Sequence, residues 1–212
     1  GKGTLGKELQ ARYPGRVFTI ETGAMLRDIV KNDPTSKVAT LMREGKLVPD
    51  ELIFDLVSKR QDELMQEAAT SSEDGTTWII LDGVPRNKAQ AAELKEYFRE
   101  KLKFVFILKM DHAILEARTI KRRVCPACGS IYNLEGAHAP KEAGVCDNCG
   151  THLIQRKDDT PEALEVRWRT YYAETQPALQ SMDGVRVVEC VNNDGEAVEE
   201  IAKNIFPELL AQ

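Results

Sequence analysis

Apolar residues follow two different spacings along this chain. Four short runs rich in β-branched and aromatic residues, at 16–20, 78–81, 104–108 and 185–189, have the composition of strands. Between them, apolar positions recur at helical spacing over 5–13, 23–31, 37–44, 50–69, 87–101 and 112–122. Another helix is predicted to follow Thr160: Thr is a suitable N-cap, Pro161 fits a first turn, and Glu162 complements the helix dipole. It runs to about residue 180, and a last helix is predicted at 196–210, kinked near Pro207. Strands alternating with helices imply an α/β fold, a parallel sheet with crossover helices on both faces. From 124 to 154 the periodicity stops and Gly, Pro, Cys, Asn and His crowd together, which reads as a mini-domain inserted into the α/β body. Residues 70–77 read as a solvated loop.

With 212 residues, 42% of them hydrophobic and 30% charged, the chain can bury a real core. At about 150 residues per domain it amounts to one domain carrying an insert. Its longest uncharged apolar runs are about five residues, against the ~20 that cross a bilayer, so no membrane partner is expected. The 34 acidic residues outnumber 29 basic ones for a net charge of −5, which argues against a general nucleic-acid coat. Cysteines at 125, 128, 146, 149 and 190 form two close pairs plus one. That is the arrangement of metal ligands with a spare thiol in a reducing compartment, here the cytoplasm.

Cys125-Pro126-Ala127-Cys128 and Cys146-Asp147-Asn148-Cys149 are two knuckles, each followed by a glycine, at 129 and 150. Four thiolates close a tetrahedral Zn2+ site and leave no position for water or substrate, so the expected zinc is structural rather than catalytic. A pair of disulfides is the other reading of the same spacing. Gly1-Lys2-Gly3-Thr4 followed by a helix looks like the end of a phosphate-binding loop, in which backbone N–H groups cradle phosphate and Lys reaches its outer oxygens. The apolar run from Trp78 ends in Asp82, which is either an ordinary turn residue or a carboxylate delivered to a sheet edge for the Mg2+ of a nucleotide. Arginines recur where structure changes, at 27, 86, 118, 122, 123, 156 and 167, and guanidinium is the planar fork suited to phosphate.

In series, these pieces resemble adenylate kinase in its long-lid, zinc-containing form. They are Gly-Lys-Gly-Thr at the start, Thr22-Gly23-x-Met25-Leu26-Arg27, Gly45-Lys46-Leu47-Val48-x-Asp50-Glu51, Leu81-Asp82-Gly83-x-Pro85-Arg86, Arg122-Arg123, the four cysteines, Arg156-x-Asp158-Asp159 and Arg167. The resemblance implies a P-loop NTPase-type parallel sheet with a core of 1–20, 51–120 and 160–212, an AMP-binding flap at 21–50 and a zinc-ribbon-like lid at 121–159. It implies the reaction ATP + AMP = 2 ADP with Mg2+. Carried over, Gly1, Lys2, Gly3, Thr4, Arg118, Arg122, Ile131 and Tyr132 match the ATP site. Thr22, Arg27, Lys46, Leu47, Val48, Gly83, Val84, Pro85, Arg86 and Gln90 match the AMP site. Arg156 and Arg167 match the arginines that bridge the phosphates, and Asp82 matches the carboxylate that orients hydrated Mg2+. Lys2, Asp82, Arg86, Arg122, Arg156 and Arg167 form the expected catalytic set.

Departures from the pattern bear on the acceptor. Ala24 stands where Asp is usual, Glu21 where Ser is usual, and Val84 where Phe is usual, so another nucleoside monophosphate is the alternative acceptor. Lys121 replaces a usual Gly at the lid hinge, and a stiffer hinge is expected. The opening Gly1, with no strand before it, leads to the expectation that this sequence is a piece of a longer protein, less stable and less active alone. A zinc-ribbon nucleic-acid binder is the reading from another class. It fails on charge, because six basic residues between 121 and 159 face five acidic ones, which leaves no basic stripe. The expected partners are ATP, AMP and ADP, with no nucleic acid, and the expected state is a monomer.

Overall fold

A computed structural model describes residues 1–69 and 77–191. The chain starts with helix α1 (Lys2–Arg12), then strand β1 (Val17–Glu21), α2 (Thr22–Asn32), α3 (Lys37–Arg43) and α4 (Asp50–Ala69). It continues through β2 (Trp78–Asp82), α5 (Lys88–Phe98), β3 (Phe104–Lys109) and α6 (His112–Ile120). β4 (Arg122–Val124) and β5 (Ile131–Asn133) follow, after which α7 (Pro161–Thr170), α8 (Gln176–Gln180) and β6 (Arg186–Val191) complete the described part.

β1 pairs with β2 in parallel, from Val17 opposite Trp78 to Glu21 opposite Asp82. β3 pairs with β6 in parallel, from Phe104 opposite Arg186 to Lys109 opposite Val191. Among the described residues no ladder joins β2 to β3; side chains join the two pairs instead. Alternation along each strand sorts the apolar residues to two faces, as a sheet covered on both sides requires. Val17, Trp78, Ile80, Phe104, Phe106, Leu108, Val188 and Cys190 meet Leu5 and Leu9 of α1 in one cluster, so that helix spans both pairs. The opposite face of β1–β2 buries Ile20 with Leu26 of α2, Ile53, Val57 and Leu64 of α4 and Leu94 of α5. Val105 and Ile107 of β3 pack on Ala91, Ala178 and Met182.

Local chemistry sets the element ends. Ser36, Asn87, Asp111 and Thr160 each cap a helix by accepting from a backbone N–H two or three residues on, as their short polar side chains allow. Two predicted boundaries move. The helix expected at 87–101 ends at Phe98, where Arg99 turns to a positive φ of 48° and a 3-10 turn follows. The helix expected to reach 122 ends at Ile120, because Arg122 enters the β4–β5 hairpin. The helix after Thr160 ends at Gln180 as expected, and within it a π turn at Tyr171–Thr175 separates α7 from α8. Lys2, Gly3 and Thr4, expected to lie in a loop before a helix, form its first turn. The helix predicted at 196–210 lies outside the described residues, as does nearly all of the loop predicted at 70–77.

The core makes a direct prediction. Leu94 is 1% exposed and sits in the cluster under the β1–β2 pair. Leu94→Ala is expected to cost about 2–5 kcal/mol, through lost transfer energy and the remaining cavity. Urea denaturation should show it as a lower midpoint at unchanged slope.

Candidate functional site

The carboxyl ends of β1 and β2 and the N-terminus of α1 meet at one place. Asp82 ends β2, its side chain only 11% exposed, and the Lys2 ammonium lies 3.7 Å from its carboxylate. Beside it Thr22, 2% exposed, donates its hydroxyl to the Asp82 carbonyl at 3.1 Å. Gly83 follows with φ 93°, and a Cβ there would stand 2.6 Å from the Thr22 hydroxyl. Neither the backbone nor the space admits a side chain at this turn. The turn sends the chain through the cis Val84–Pro85 peptide to Arg86, whose Nε donates back to the Gly83 carbonyl at 2.9 Å.

Around this edge the structure gathers Arg27, Arg86, Arg122, Arg156 and Arg167. Arg86 is open to solvent at the mouth of the cleft, yet protein crowds around it. Desolvation first, then repulsion by Arg167 and Arg27 against attraction to Asp82, lowers its pKa. Arg156 is half-buried and lowered to about 10, by desolvation and then by Arg122 and Arg27. It stays a cation at neutral pH, and its buried Nε has no hydrogen-bond partner. Carboxylates hold the group together. Asp159, with a fully buried side chain, takes a two-pronged bond from Arg122, and Asp158 takes one from Arg167. Glu21 accepts from Arg27 at 2.9 Å.

Beyond Arg86 a polar network ties the start of α5 to the start of α4. Gln90, 2% exposed, accepts from the Arg86 N–H at 2.7 Å and donates to Asp50 at 2.7 Å. Asn87 donates to both oxygens of Asp50 at 2.9 and 3.1 Å. The side chain of Gln90 is therefore committed to holding Arg86 and Asp50. Gly45, φ 71°, brings its turn so close to α7 that a Cβ would meet the Ala163 carbonyl at 2.6 Å. Next to it Lys46 pairs with Glu44 at 2.8 Å, Leu47 is half-buried, and Val48 is buried in the core cluster with Val84.

The lid closes on four sulfurs. The ligand atoms of Cys125, Cys128, Cys146 and Cys149 all lie within 4.8 Å of one another, and none is in a disulfide. Four thiolates around a Zn2+ at about 2.3 Å stand at such separations, so the donor set fits a structural zinc. Gly129 and Gly150 close the two turns, their N–H groups donating to the carbonyls of Cys125 and Cys146. Tyr132, 9% exposed, aims its hydroxyl at the Cys146 sulfur (3.4 Å) and accepts from the Asp147 N–H at 2.9 Å. That hydroxyl, offset by desolvation, holds the Cys146 thiol down at about 6. The lid touches the body where Lys7 of α1 donates to the Gly129 carbonyl at 3.0 Å.

Lys2, Asp82, Arg27, Arg86, Arg122, Arg156 and Arg167 are thus brought together, with Gly1 and Arg118 at the margin. The Arg118 guanidinium faces the Met110 sulfur at 3.8 Å, and both Arg118 and Gly1 lie within electrostatic reach of the same groups. Gly3 faces Glu21, and Thr4 belongs to the first turn of α1. The side chain of Tyr132 serves the knuckle instead of the cleft, and Ile131 with Tyr132 borders a separate cavity of about 210 Å³. A larger cavity of about 450 Å³, between Lys95, Arg99 and Asp183, shares no residue with the arginine cleft. Sequence reasoning missed the counter-charges Glu21, Asp158 and Asp159, and Asp50. Asp50, Asp158 and Asp159 lie inside motifs that were legible, but a motif does not say which arginine each would hold.

Comparison with known proteins matches the same pattern. The family described as Adenylate kinase matches residues 1–185. An adenylate kinase of Thermotoga petrophila is 38% identical over 189 residues, covering 86% of this chain and 80% of the relative. The adenylate kinase of Thermotoga maritima gives the same identity and coverage. One from Bacillus anthracis is 33% identical over 199 residues, covering 92% and 87%. With parallel strands, a phosphate-type helix start, clustered arginines and a four-cysteine lid in the family's order, this chain belongs to the adenylate kinase family, the phosphotransferases that interconvert ATP plus AMP with two ADP.

Proposed function

We propose that the family's reaction, ATP + AMP = 2 ADP, runs in the cleft bounded by Lys2, Asp82 and the five gathered arginines. The observation that carries this is the convergence of Arg27, Arg86, Arg122, Arg156 and Arg167 on the strand edge where Lys2 meets Asp82. Phosphoryl transfer between two anions needs charge neutralisation and in-line positioning more than covalent chemistry, and this set provides both. Gly1, Lys2, Gly3, Thr4, Arg118 and Arg122 take the ATP side. Thr22, Arg27, residues 46–48 and 83–86 take AMP, with Gln90 acting through Arg86. Arg156 and Arg167 span the transferred phosphoryl group. Asp82 would hold hydrated Mg2+, which would neutralise charge on the ATP phosphates.

Three bodies divide the work: a core of 1–20, 51–120 and 160–212, a flap at 21–50 and a lid at 121–159. The lid excludes water from the reacting phosphate when it closes. Zinc makes it one rigid piece, so Arg122 and Arg156 arrive together. We also read the protein as a cytoplasmic monomer that binds no nucleic acid. Among the described residues, no helix is long and apolar enough to cross a membrane. One observation favours a broader acceptor range: Val84, buried in the core with Val48, presents no aromatic surface to a base.

A coupled assay of ADP formation with AMP, GMP, CMP and UMP should rank AMP first; preference for another base would overturn AMP as acceptor. In the same assay Arg156→Ala is expected to lower kcat/KM by about 10²–10³, because a preorganised cation facing the phosphates is lost. Elemental analysis of reduced protein should find one zinc per chain, and Cys146→Ser should lose it and melt at a lower temperature.

A further inference from the structure

Glu21 is the last residue of β1 and the N-cap of α2, and the reaction as described assigns it nothing. Three observations give it a place. Its carboxylate accepts from Arg27 Nη2 at 2.9 Å, with the two side chains 25% and 31% exposed. The same carboxylate lies 3.6–3.7 Å from where a side chain on Gly3 would begin, so it faces the phosphate end of α1. The strand register sets it directly opposite Asp82. An anion therefore stands between the cation that awaits the acceptor and the helix end that awaits the donor. Arg27 itself repels Arg86 and Arg156, and Glu21 is the carboxylate that offsets this repulsion at Arg27.

We propose that Glu21 is an electrostatic latch on the acceptor site: it holds Arg27 where the acceptor's phosphate will bind, and yields it when a nucleoside monophosphate arrives. This rests on the assignment of Arg27 to the acceptor. A guanidinium carries five N–H donors in a fixed fork, and Nη2, the nitrogen Glu21 holds, takes part in either two-pronged face that the fork can offer a phosphate. The phosphate must displace the carboxylate or bind beside a like charge. In either case apparent affinity falls with the fraction of molecules in which the pair is closed. Glu21 touches no reacting atom and is a positioning residue, so its effect must be specific to phosphate and must pass through Arg27.

The test is titration calorimetry of AMP and of adenosine onto the zinc-loaded chain, its Glu21→Gln variant and its Glu21→Ala variant. Glu21→Gln keeps the shape and removes the charge. Both substitutions are expected to tighten AMP by about two- to fivefold, the range of a half-exposed ion pair, and to leave adenosine unchanged. In an Arg27→Gln background Glu21→Gln is expected to have no effect on AMP. AMP binding that is unchanged or weaker in both variants would overturn the latch, the weaker case making Glu21 a simple support for Arg27. An equal gain for adenosine would overturn it too, because the effect would then not concern phosphate. Repeating the series with GMP, CMP and UMP separates the latch from the AMP reading. Tightening confined to another base keeps Glu21 in its role and removes AMP as acceptor. Failure of all four to bind overturns the site assignment and the latch with it.

Discussion

Crowded like charge is the constraint on which this structure depends. Several guanidinium groups share one cleft, and desolvation together with their mutual repulsion lowers both Arg86 and Arg156. Such a cluster persists in a folded chain only if carboxylates are built in beside it. Asp159 meets that need from a fully buried position under Arg122, Asp158 beside Arg167, and Glu21 beside Arg27. The pairs are unequal in kind. A buried pair is costly to break because the surviving charge is left unsolvated, whereas a half-exposed one is worth little and opens easily. Asp159 is accordingly architecture, and Glu21 is adjustable.

The lid solves a different problem. Its buried cluster holds just Cys125, Cys146 and Tyr132, with Leu153 partly buried against them, too little apolar surface to order some forty residues. Metal thiolate bonds supply what burial cannot, and the two hairpin-like bridges, Val124 with Ile154 and Val145 with His152, draw the knuckles together. Tyr132 shows how closely clasp and cleft are interleaved, since its phenol belongs to the sulfur cage while Arg122, opposite the same hairpin, belongs to Asp159.

Much of this was legible in the sequence, and unevenly. The strands at Trp78 and Phe104 and the helix from Asp50 to Ala69 were readable because composition and period agree there. The cysteine knuckles were readable because metal geometry restricts spacing. The π turn at Tyr171–Thr175 was legible and was missed: Pro177 lies inside the predicted helix, and its ring and missing N–H disturb the carbonyl of Ala173 four residues back. The turn at Arg99 was not legible, because a non-glycine residue is held at positive φ with nothing nearby to announce it. Within the site, the cations could be named from motifs, but their partners could not, since Arg122 and Asp159 are 37 positions apart and meet only through the fold. Gln90 was legible as a site residue and illegible as a brace, because its role follows from its burial.

The way α1 lies across the two strand pairs has a mechanical consequence. Trp78 and Phe104 approach to 6.2 Å between ring centres, and Leu9 packs on both sides, yet no described backbone bond crosses from β2 to β3. The side chains of α1 are therefore a shared support of both pairs, and the same helix carries Lys2 to Asp82 at its other end, so what steadies the two pairs also steadies the cation at the site.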